Sequence, residues 1–382
     1  MKVKSSFGPS YKEFEIGEIV FLAEEKPLKL INGAEIKNFP LAFQTYGKLN
    51  ADKSNAILIC HALTGDQYSA SINPVTQKEG WWNFMIGDKK PIDTEKFFVI
   101  SSNVIGSCMG SFGPKEINPQ NSKPYGLRFP GITISDMVNA QNLLIEHFGI
   151  KKLHAVIGGS MGGMQALSWA TLYPQKTNII IALATSYRNS AQNIAFNEAS
   201  RQAILADLDW HSGEYLSEKK FPSKGLAVAR MTANITYLSE NALQKKFGRE
   251  LQNKDNFSFS FDKEFQIESY LHHQANSFVE RFDPNSYLYV TKAVDYFDLE
   301  KDFGGQLSNA FVEFAKINRA KICLIAFSDD WLFPASEIKK ITQALIACGI
   351  NVSAVTINSN AGHDSFLIEN DALKNTIHGF IN

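Results

Sequence analysis

Short apolar runs alternate with longer amphipathic stretches between residues 50 and 185, and this alternation predicts a parallel α/β sheet. The runs are continuous and rich in β-branched or aromatic residues, as expected of strands that are buried on both faces. The predicted strands are Ala56 to Cys60, Phe97 to Ser101, Leu153 to Ile157 and Asn178 to Thr185.

Two helices are predicted in the second half of this region. The first has Ser135 as its expected N-cap, and one of its faces carries Met137, Ala140, Leu144 and Phe148. The second, Met161 to Leu172, is rich in Met, Gln, Ala and Leu, and Pro174 lies just past its end. The predicted order from residue 153 onward is therefore strand, helix, strand.

The pattern changes between residues 188 and 318, where polar helical patterns replace the strands. Examples are Glu198 to Leu205 and Leu226 to Ser239. We interpret residues 188–318 as an inserted helical segment.

Strand patterns return at Lys321 to Phe327 and at Val352 to Ile357, with one predicted helix between them and another after them. The sequence therefore predicts an α/β core formed by residues 1–187 and 319–382, which the inserted segment interrupts.

Composition and charge narrow the class of protein. The 382 residues are 44% hydrophobic and 20% charged, as in an ordinary globular protein. The formal net charge of −1 disfavours a general nucleic-acid or anionic-membrane binder. The four cysteines lack CxxC spacing, which disfavours a structural metal site or a disulfide scaffold. No apolar run approaches the ~20 residues of a membrane span, so we expect a soluble, cytoplasmic protein.

A G-x-S-x-G motif centred on Ser160 lies between a predicted strand and a predicted helix. A tight turn there requires small neighbours, and the residues that meet this demand are Gly158, Gly159, Gly162 and Gly163. The N–H of Met161, at the start of the helix, can stabilise an oxyanion. The motif alone fits a nucleophile about as well as it fits a glycine-rich or phosphate-binding turn.

A serine nucleophile needs a base and an orienting acid, which follow it in this order in α/β hydrolases: serine, acid, histidine. His363 lies in a polar loop after a predicted strand, where it can reach Ser160. Asp329 and Asp330 both follow the strand Lys321 to Phe327, and their adjacency does not separate them.

A second oxyanion donor is expected in the loop after an early strand. The Leu63 N–H, in the stretch Cys60 to Gly65, is our candidate. His61 in the same stretch is interpreted as structural.

Together these motifs identify a family that the chain resembles, the homoserine O-acetyltransferases, which are acyltransferases of methionine biosynthesis with the α/β-hydrolase fold. The matching segments include CHALTGD at Cys60 to Asp66, GGSMGGMQALSWA at Gly158 to Ala170, GLAVARMTANITY at Gly225 to Tyr237, RFDPNSYLY at Arg281 to Tyr289, DWLFP at Asp330 to Pro334 and GHDSFL at Gly362 to Leu367. The combination of CHALTGD, GGSMGGMQAL and GHDSFL is specific to this family.

The resemblance implies a mostly parallel sheet flanked by helices, with residues 188–318 as a helical lid. It implies ping-pong transfer of an acetyl group from acetyl-CoA through Ser160 to L-homoserine, with His363 as the base. The family's acid directly precedes the W-L-(F/Y)-P segment, which selects Asp330. A homodimer is implied, and neither a metal nor a cofactor is expected besides the acyl donor.

The family's substrate-binding arginine and aspartate correspond to Arg230 and Asp364. Because homoserine is a zwitterion, its site needs a cation for the carboxylate and an anion for the ammonium. A succinyl donor, a serine acceptor and a plain carboxylester hydrolase remain alternatives, since the serine motif is shared across reaction classes.

Overall fold

A nine-stranded sheet forms the centre of the computed structural model, which describes residues 2–253, 255–317 and 321–382. Its strands are, in chain order, β1 (Lys2–Phe7), β2 (Lys12–Leu22), β3 (Phe39–Tyr46), β4 (Ala56–Cys60), β5 (Phe98–Ser102), β6 (Leu153–Gly159), β7 (Thr177–Leu183), β8 (Lys321–Phe327) and β9 (Val352–Ile357). Their spatial order is β1-β2-β3-β5-β4-β6-β7-β8-β9.

The sheet is parallel from β5 to β9 in this spatial order. At the other edge, β1, β2 and β3 run antiparallel to their neighbours. Because parallel strands all point the same way, the loops that follow β4, β6, β8 and β9 meet at one edge of the sheet. Functional sites of open α/β sheets lie at this carboxyl edge.

Helices cover both faces of the sheet and fill the long connection between β7 and β8. They are α1 (Ile134–His147), α2 (Met161–Leu172), α3 (Ala191–Leu205), α4 (Ser223–Tyr237), α5 (Glu240–Phe247), α6 (Gln266–Val279), α7 (Pro284–Asp295), α8 (Leu299–Asp302), α9 (Val312–Ala315), α10 (Ala335–Ala347) and α11 (Asp371–Ile381). In the part of the chain that the structure describes, no helix has both the length and the apolar character that a membrane crossing requires.

Alternate residues of the parallel strands enter two apolar clusters, one on each face of the sheet. Val156 and Leu324 belong to the cluster that includes residues of α1, α2 and α10. Ile157 and Ile325 belong to the cluster that includes Leu373 of α11. Burial on both faces explains why these strands are continuous apolar runs.

The predicted strands agree closely with the structure. Three of them, Ala56–Cys60, Lys321–Phe327 and Val352–Ile357, have the predicted bounds, and the others differ by one or two residues at their ends. The expectation of a mostly parallel sheet flanked by helices is confirmed.

The predicted N-cap of α1 is wrong. Thr133 caps the helix, since its Oγ1 accepts a hydrogen bond from the Asp136 N–H at 3.2 Å, while the Asp136 carboxylate accepts from the Thr133 N–H at 2.9 Å. Ser135 therefore lies inside the first turn. This reciprocal capping box satisfies two backbone N–H groups that a serine at position 135 would have left without partners.

The segment predicted as an insertion contains α3 to α9, and the described residues between β7 and β8 contribute no strand to the central sheet. Its predicted end, at residues 318 and 319, lies outside the described residues. The domain bounds therefore stay a prediction.

Candidate active site

Ser160 lies in the sharp turn between β6 and α2, with φ +59° and ψ −124°. Its N–H donates to the Leu183 carbonyl at 2.9 Å, and its carbonyl accepts from Thr185 Oγ1 at 2.8 Å. These bonds hold a backbone conformation that is costly for a residue other than glycine. The turn directs the hydroxyl away from the sheet, as in the nucleophile elbow of α/β hydrolases.

The glycines around Ser160 permit close backbone packing. A Cβ atom added to Gly158 would lie 2.2 Å from the Gly162 carbonyl oxygen, and one added to Gly162 would lie 2.1 Å from the Cys60 carbonyl oxygen. Both distances are far below van der Waals contact. The small residues of the motif are thus required by the approach of α2 to the ends of β4 and β6.

The structure brings Ser160, His363 and Asp330 together. His363 Nε2 lies 2.8 Å from Ser160 Oγ, and His363 Nδ1 lies 2.8 Å from Asp330 Oδ2. All three side chains are buried. In this arrangement the imidazole can accept the hydroxyl proton on one nitrogen while it donates to the carboxylate from the other.

The structure also separates the two aspartates that the sequence left equivalent. Asp330 Oδ1 accepts from the N–H groups of Leu332 and Phe333 at 3.0 and 2.9 Å, which aims Oδ2 at His363. Asp329 instead accepts from the Gly362 N–H at 3.1 Å. Asp330 is therefore the carboxylate bonded to the histidine, as the family resemblance implied.

Two opposing effects act on the pKa of His363. Burial lowers it, but the charge and the hydrogen bond of Asp330 raise it, with a further contribution from Asp364. The net shift is upward from the ordinary value of 6.5. The carboxylates thus favour the imidazolium that forms when His363 takes a proton.

Leu63 and Met161, the predicted oxyanion donors, line one small cavity together with Ser160. The loop that carries Leu63 is anchored by His61, whose Nε2 accepts from the Val104 N–H at 3.1 Å and whose Nδ1 donates to the Ala62 carbonyl at 2.7 Å. Burial lowers the pKa of His61 to about 4, so this ring is neutral near pH 7. Its contacts fit the structural interpretation given above.

A cavity of about 170 Å³ lies beside Ser160 and His363 and contains charged side chains of both signs. Arg230, from α4, and Asp364, the neighbour of His363, both line it. Arg230 Nη1 lies 3.4 Å from Thr64 Oγ1, while the buried Arg230 Nε has no hydrogen-bond partner in the part of the chain that the structure describes. Burial raises the pKa of Asp364, against the charges of His363 and Arg230.

The small cavity on the other side of Ser160 has a volume of about 60 Å³ and a different lining. Its polar groups are neutral, with the amides of Asn189 and Asn193 among them, and Phe196 and Phe333 supply apolar surface. Ser160 therefore lies between a compartment with charged groups and a neutral compartment.

One residue of the charged compartment, Arg281, was not predicted from the sequence. Arg281, just after α6, lines the same cavity as Arg230 and donates from Nη1 to the Thr64 carbonyl at 2.9 Å. Arg281 begins the matching segment RFDPNSYLY, but nothing in that segment distinguishes a site arginine from a structural one. The one acidic trio with oxygens close enough for a metal ion in the described residues, Asp88, Asp93 and Glu95, lines neither compartment.

The sheet and the serine, histidine and aspartate at its carboxyl edge are typical of the α/β hydrolases. The family model of the alpha/beta hydrolase fold matches residues 55–370, which confirms the predicted fold class. Sequence comparison finds a homoserine O-acetyltransferase of Mesorhizobium japonicum that is 56% identical over 357 residues, covering 94% of this chain and 91% of that protein. The chain belongs to the homoserine O-acetyltransferase family.

Two solved structures resemble the whole fold equally well. Esterase E22 has a TM-score of 0.85 and 31% identity, and the match covers 96% of this chain and 99% of that chain. The homoserine O-acetyltransferase from Bacillus anthracis also has a TM-score of 0.85, with 27% identity, covering 96% of this chain and 97% of that one. The shared fold therefore serves both an esterase and an acetyltransferase.

Proposed function

We propose that this chain transfers an acetyl group from acetyl-CoA to the hydroxyl of L-homoserine. The observation that carries the proposal is the Ser160–His363–Asp330 chain of hydrogen bonds, set beside a compartment that offers both a guanidinium and a carboxylate. The names of relatives above 50% identity support the same activity.

The first half of the reaction acetylates the enzyme. Ser160 Oγ attacks the thioester carbonyl while His363 Nε2 takes the hydroxyl proton, and Asp330 stabilises the resulting imidazolium. The N–H groups of Leu63 and Met161 are assigned to the oxyanion of the tetrahedral intermediate. The C–S bond then breaks, and His363 returns the proton to the leaving sulfur, which releases CoA as the thiol.

The second half repeats these steps with homoserine as the nucleophile. Arg230 binds its carboxylate, Asp364 binds its ammonium, and His363 accepts the proton of its hydroxyl. When the second tetrahedral intermediate collapses, Ser160 Oγ leaves and regains a proton from His363. The products are O-acetylhomoserine and free enzyme.

The proposal extends to cellular context and assembly, where the family resemblance is its support. It places the enzyme in methionine biosynthesis, in the cytoplasm and in a homodimer. Light scattering on the purified full-length chain measures the assembly directly, with twice the monomer mass of 42.6 kDa as the expected result.

The test is release of the CoA thiol from acetyl-CoA in the presence and absence of homoserine. Release should depend on homoserine, and Ser160→Ala should abolish it. Ser168→Ala is the matched control, since Ser168 is a buried serine of α2, the helix that follows the Ser160 turn, and its Oγ has no hydrogen-bond partner among the described residues. Rapid release without homoserine would instead indicate a hydrolase. Succinyl-CoA and serine, tested in the same assay, define the donor and the acceptor.

A further inference from the structure

We propose that Arg281 is a second guanidinium of the acceptor site and binds the homoserine carboxylate together with Arg230. The inference rests on the proposed function and adds to it a specificity-determining residue. It means that two arginines, and not Arg230 alone, select an acceptor with a carboxylate.

Arg281 and Arg230 converge from different elements on the same loop residue. Arg281 Nη1 donates to the Thr64 carbonyl at 2.9 Å, and Arg230 Nη1 lies 3.4 Å from Thr64 Oγ1. The two guanidinium carbons also lie 5.1 and 4.9 Å from the ring centroid of Phe278. Both side chains line the cavity that contains Ser160 and His363.

Neither guanidinium has a carboxylate within ion-pairing distance among the described residues. The charge of Asp66 acts on Arg281, but the two Asp66 oxygens accept from the Tyr68 N–H at 2.9 Å and from Asn73 Nδ2 at 2.8 Å. Burial lowers the pKa of Arg281 and the charge of Arg230 lowers it further, while the charge of Asp66 acts in the opposite direction. The two guanidinium groups therefore repel each other, and Asp66 offsets this only in part. Two adjacent cations without direct counter-charges form a site for an anion.

The substrates of the proposed reaction limit which anion this is. The phosphates of CoA are separated from the reacting thioester by the pantetheine arm, and the acetyl group carries no charge, so the acyl donor places no anion beside Ser160. The acceptor must place its hydroxyl at Ser160, and its carboxylate is the anion fixed at a short distance from that hydroxyl. A carboxylate has about four acceptor positions, enough for hydrogen bonds from two planar guanidinium groups.

The experiment compares homoserine with 3-amino-1-propanol, which keeps the hydroxyl and the amine but lacks the carboxylate. In Arg281→Met we expect kcat/KM for homoserine to fall by about 10- to 100-fold, the loss typical of a hydrogen bond to a charged group. The value for 3-amino-1-propanol should stay unchanged. Acetylation of the enzyme by p-nitrophenyl acetate should also stay unchanged.

Two further variants control for folding and for charge. Arg281→Lys keeps the positive charge without the planar fork, and we expect an intermediate loss with homoserine alone. Arg249→Met removes an exposed lid arginine that packs on the Phe265 ring, outside the cavity, and should leave all three rates unchanged.

The outcomes separate this inference from the proposed function. An equal loss in Arg281→Met with homoserine, 3-amino-1-propanol and p-nitrophenyl acetate would overturn it, because Arg281 would then only hold the Thr64 loop. No loss with any of them would overturn it as well. Failure of the unmodified enzyme to use homoserine would count against the proposed function itself.

Discussion

Ser160 stores backbone strain at the reacting atom. A φ of +59° in a residue with a Cβ costs about 1–3 kcal/mol, and such a conformation persists only where surrounding contacts fix it. Here, the conformation is fixed by the hydrogen bonds that the Ser160 backbone makes with the Leu183 carbonyl and with the Thr185 hydroxyl. The hydroxyl is therefore oriented before any substrate arrives, which lowers the entropic cost of reaching the transition state.

His363 gives the reaction a pH dependence whose sign follows from its surroundings. The imidazole acts as a base only when it is neutral, and the net effect of burial and the nearby carboxylates raises its pKa above 6.5. Acetylation should therefore be slow well below this pKa and increase as the pH rises through it. The profile of kcat/KM for acetyl-CoA against pH measures this limb.

Asp330→Asn tests the cause of that shift. The change removes the negative charge next to His363, so burial should then dominate and move the rising limb to lower pH. The maximal rate should fall by roughly 10⁴-fold, as for the equivalent change in other serine triads. Asp329→Asn is the matched control, because an amide oxygen can still accept from the Gly362 N–H, and its rate should stay close to that of the unmodified enzyme. Equal losses in both variants would contradict the assignment of Asp330.

At the scale of elements, the site depends on how closely α2 approaches the ends of two strands. Gly158 and Gly162 are packed against backbone atoms, which cannot move aside as a flexible side chain would. The position of the Ser160 turn relative to the loop that carries Leu63 is thus set by glycine contacts in the interior.

Gly162→Ala tests this packing. Its Cβ would lie 2.1 Å from the Cys60 carbonyl oxygen and 3.1 Å from that of His61, which is two residues before the predicted oxyanion donor Leu63. We expect a loss of about 1–3 kcal/mol in the free energy of unfolding, together with a large loss of acetylation rate. Urea unfolding and p-nitrophenyl acetate kinetics measure the two effects.

The matched control is Gly379→Ala, in α11, where an added Cβ meets no atom within 4 Å. Alanine is the better helix former by about 1 kcal/mol, so this variant should be slightly more stable and fully active. If both glycine variants had the same free energy of unfolding and the same acetylation rate, close packing at the turn would not determine the geometry of the site.

The elements show which features the sequence could predict. The inner parallel strands β4 to β8 were predicted because burial on both faces leaves uninterrupted apolar runs. The antiparallel strands β1 to β3 were not, since they have a more exposed and mixed pattern. The N-cap of α1 was misplaced because two polar residues near the helix start were equally plausible, and only the reciprocal bonds of Thr133 and Asp136 decide between them.

Some site residues could likewise be predicted from the sequence and others could not. Ser160 and His363 were predictable from a motif and from loops that follow strands, whereas Asp330 was separated from Asp329 only by family resemblance. The role of Arg281 was not predicted because it depends on the proximity of Arg230 and Thr64, which are far away in the sequence. A single sequence does not show that these residues converge.

At the scale of the whole molecule, the fold does not decide between water and homoserine as the acceptor. An esterase and a homoserine O-acetyltransferase match this chain with the same TM-score of 0.85. The residues that bind an amino acid in our proposal come from both parts of the chain, with Arg230 on a helix between β7 and β8 and Asp364 after β9. Discrimination is therefore expected to arise where the helical segment meets the sheet edge.

Arg230→Ala tests this division of labour between the core and the helical segment. Because the Ser160 chain of hydrogen bonds does not include Arg230, acetylation by acetyl-CoA should continue, while KM for homoserine should rise by about 10- to 100-fold. The acetyl-enzyme would then persist longer before homoserine binds, and water would hydrolyse a larger fraction of it. The hydrolysed fraction is obtained from the ratio of O-acetylhomoserine, measured by mass spectrometry, to the CoA released. Arg249→Ala is the control. An unchanged KM with one O-acetylhomoserine still formed per CoA would show that the helical segment does not bind the acceptor through Arg230, and that discrimination against water resides in the core.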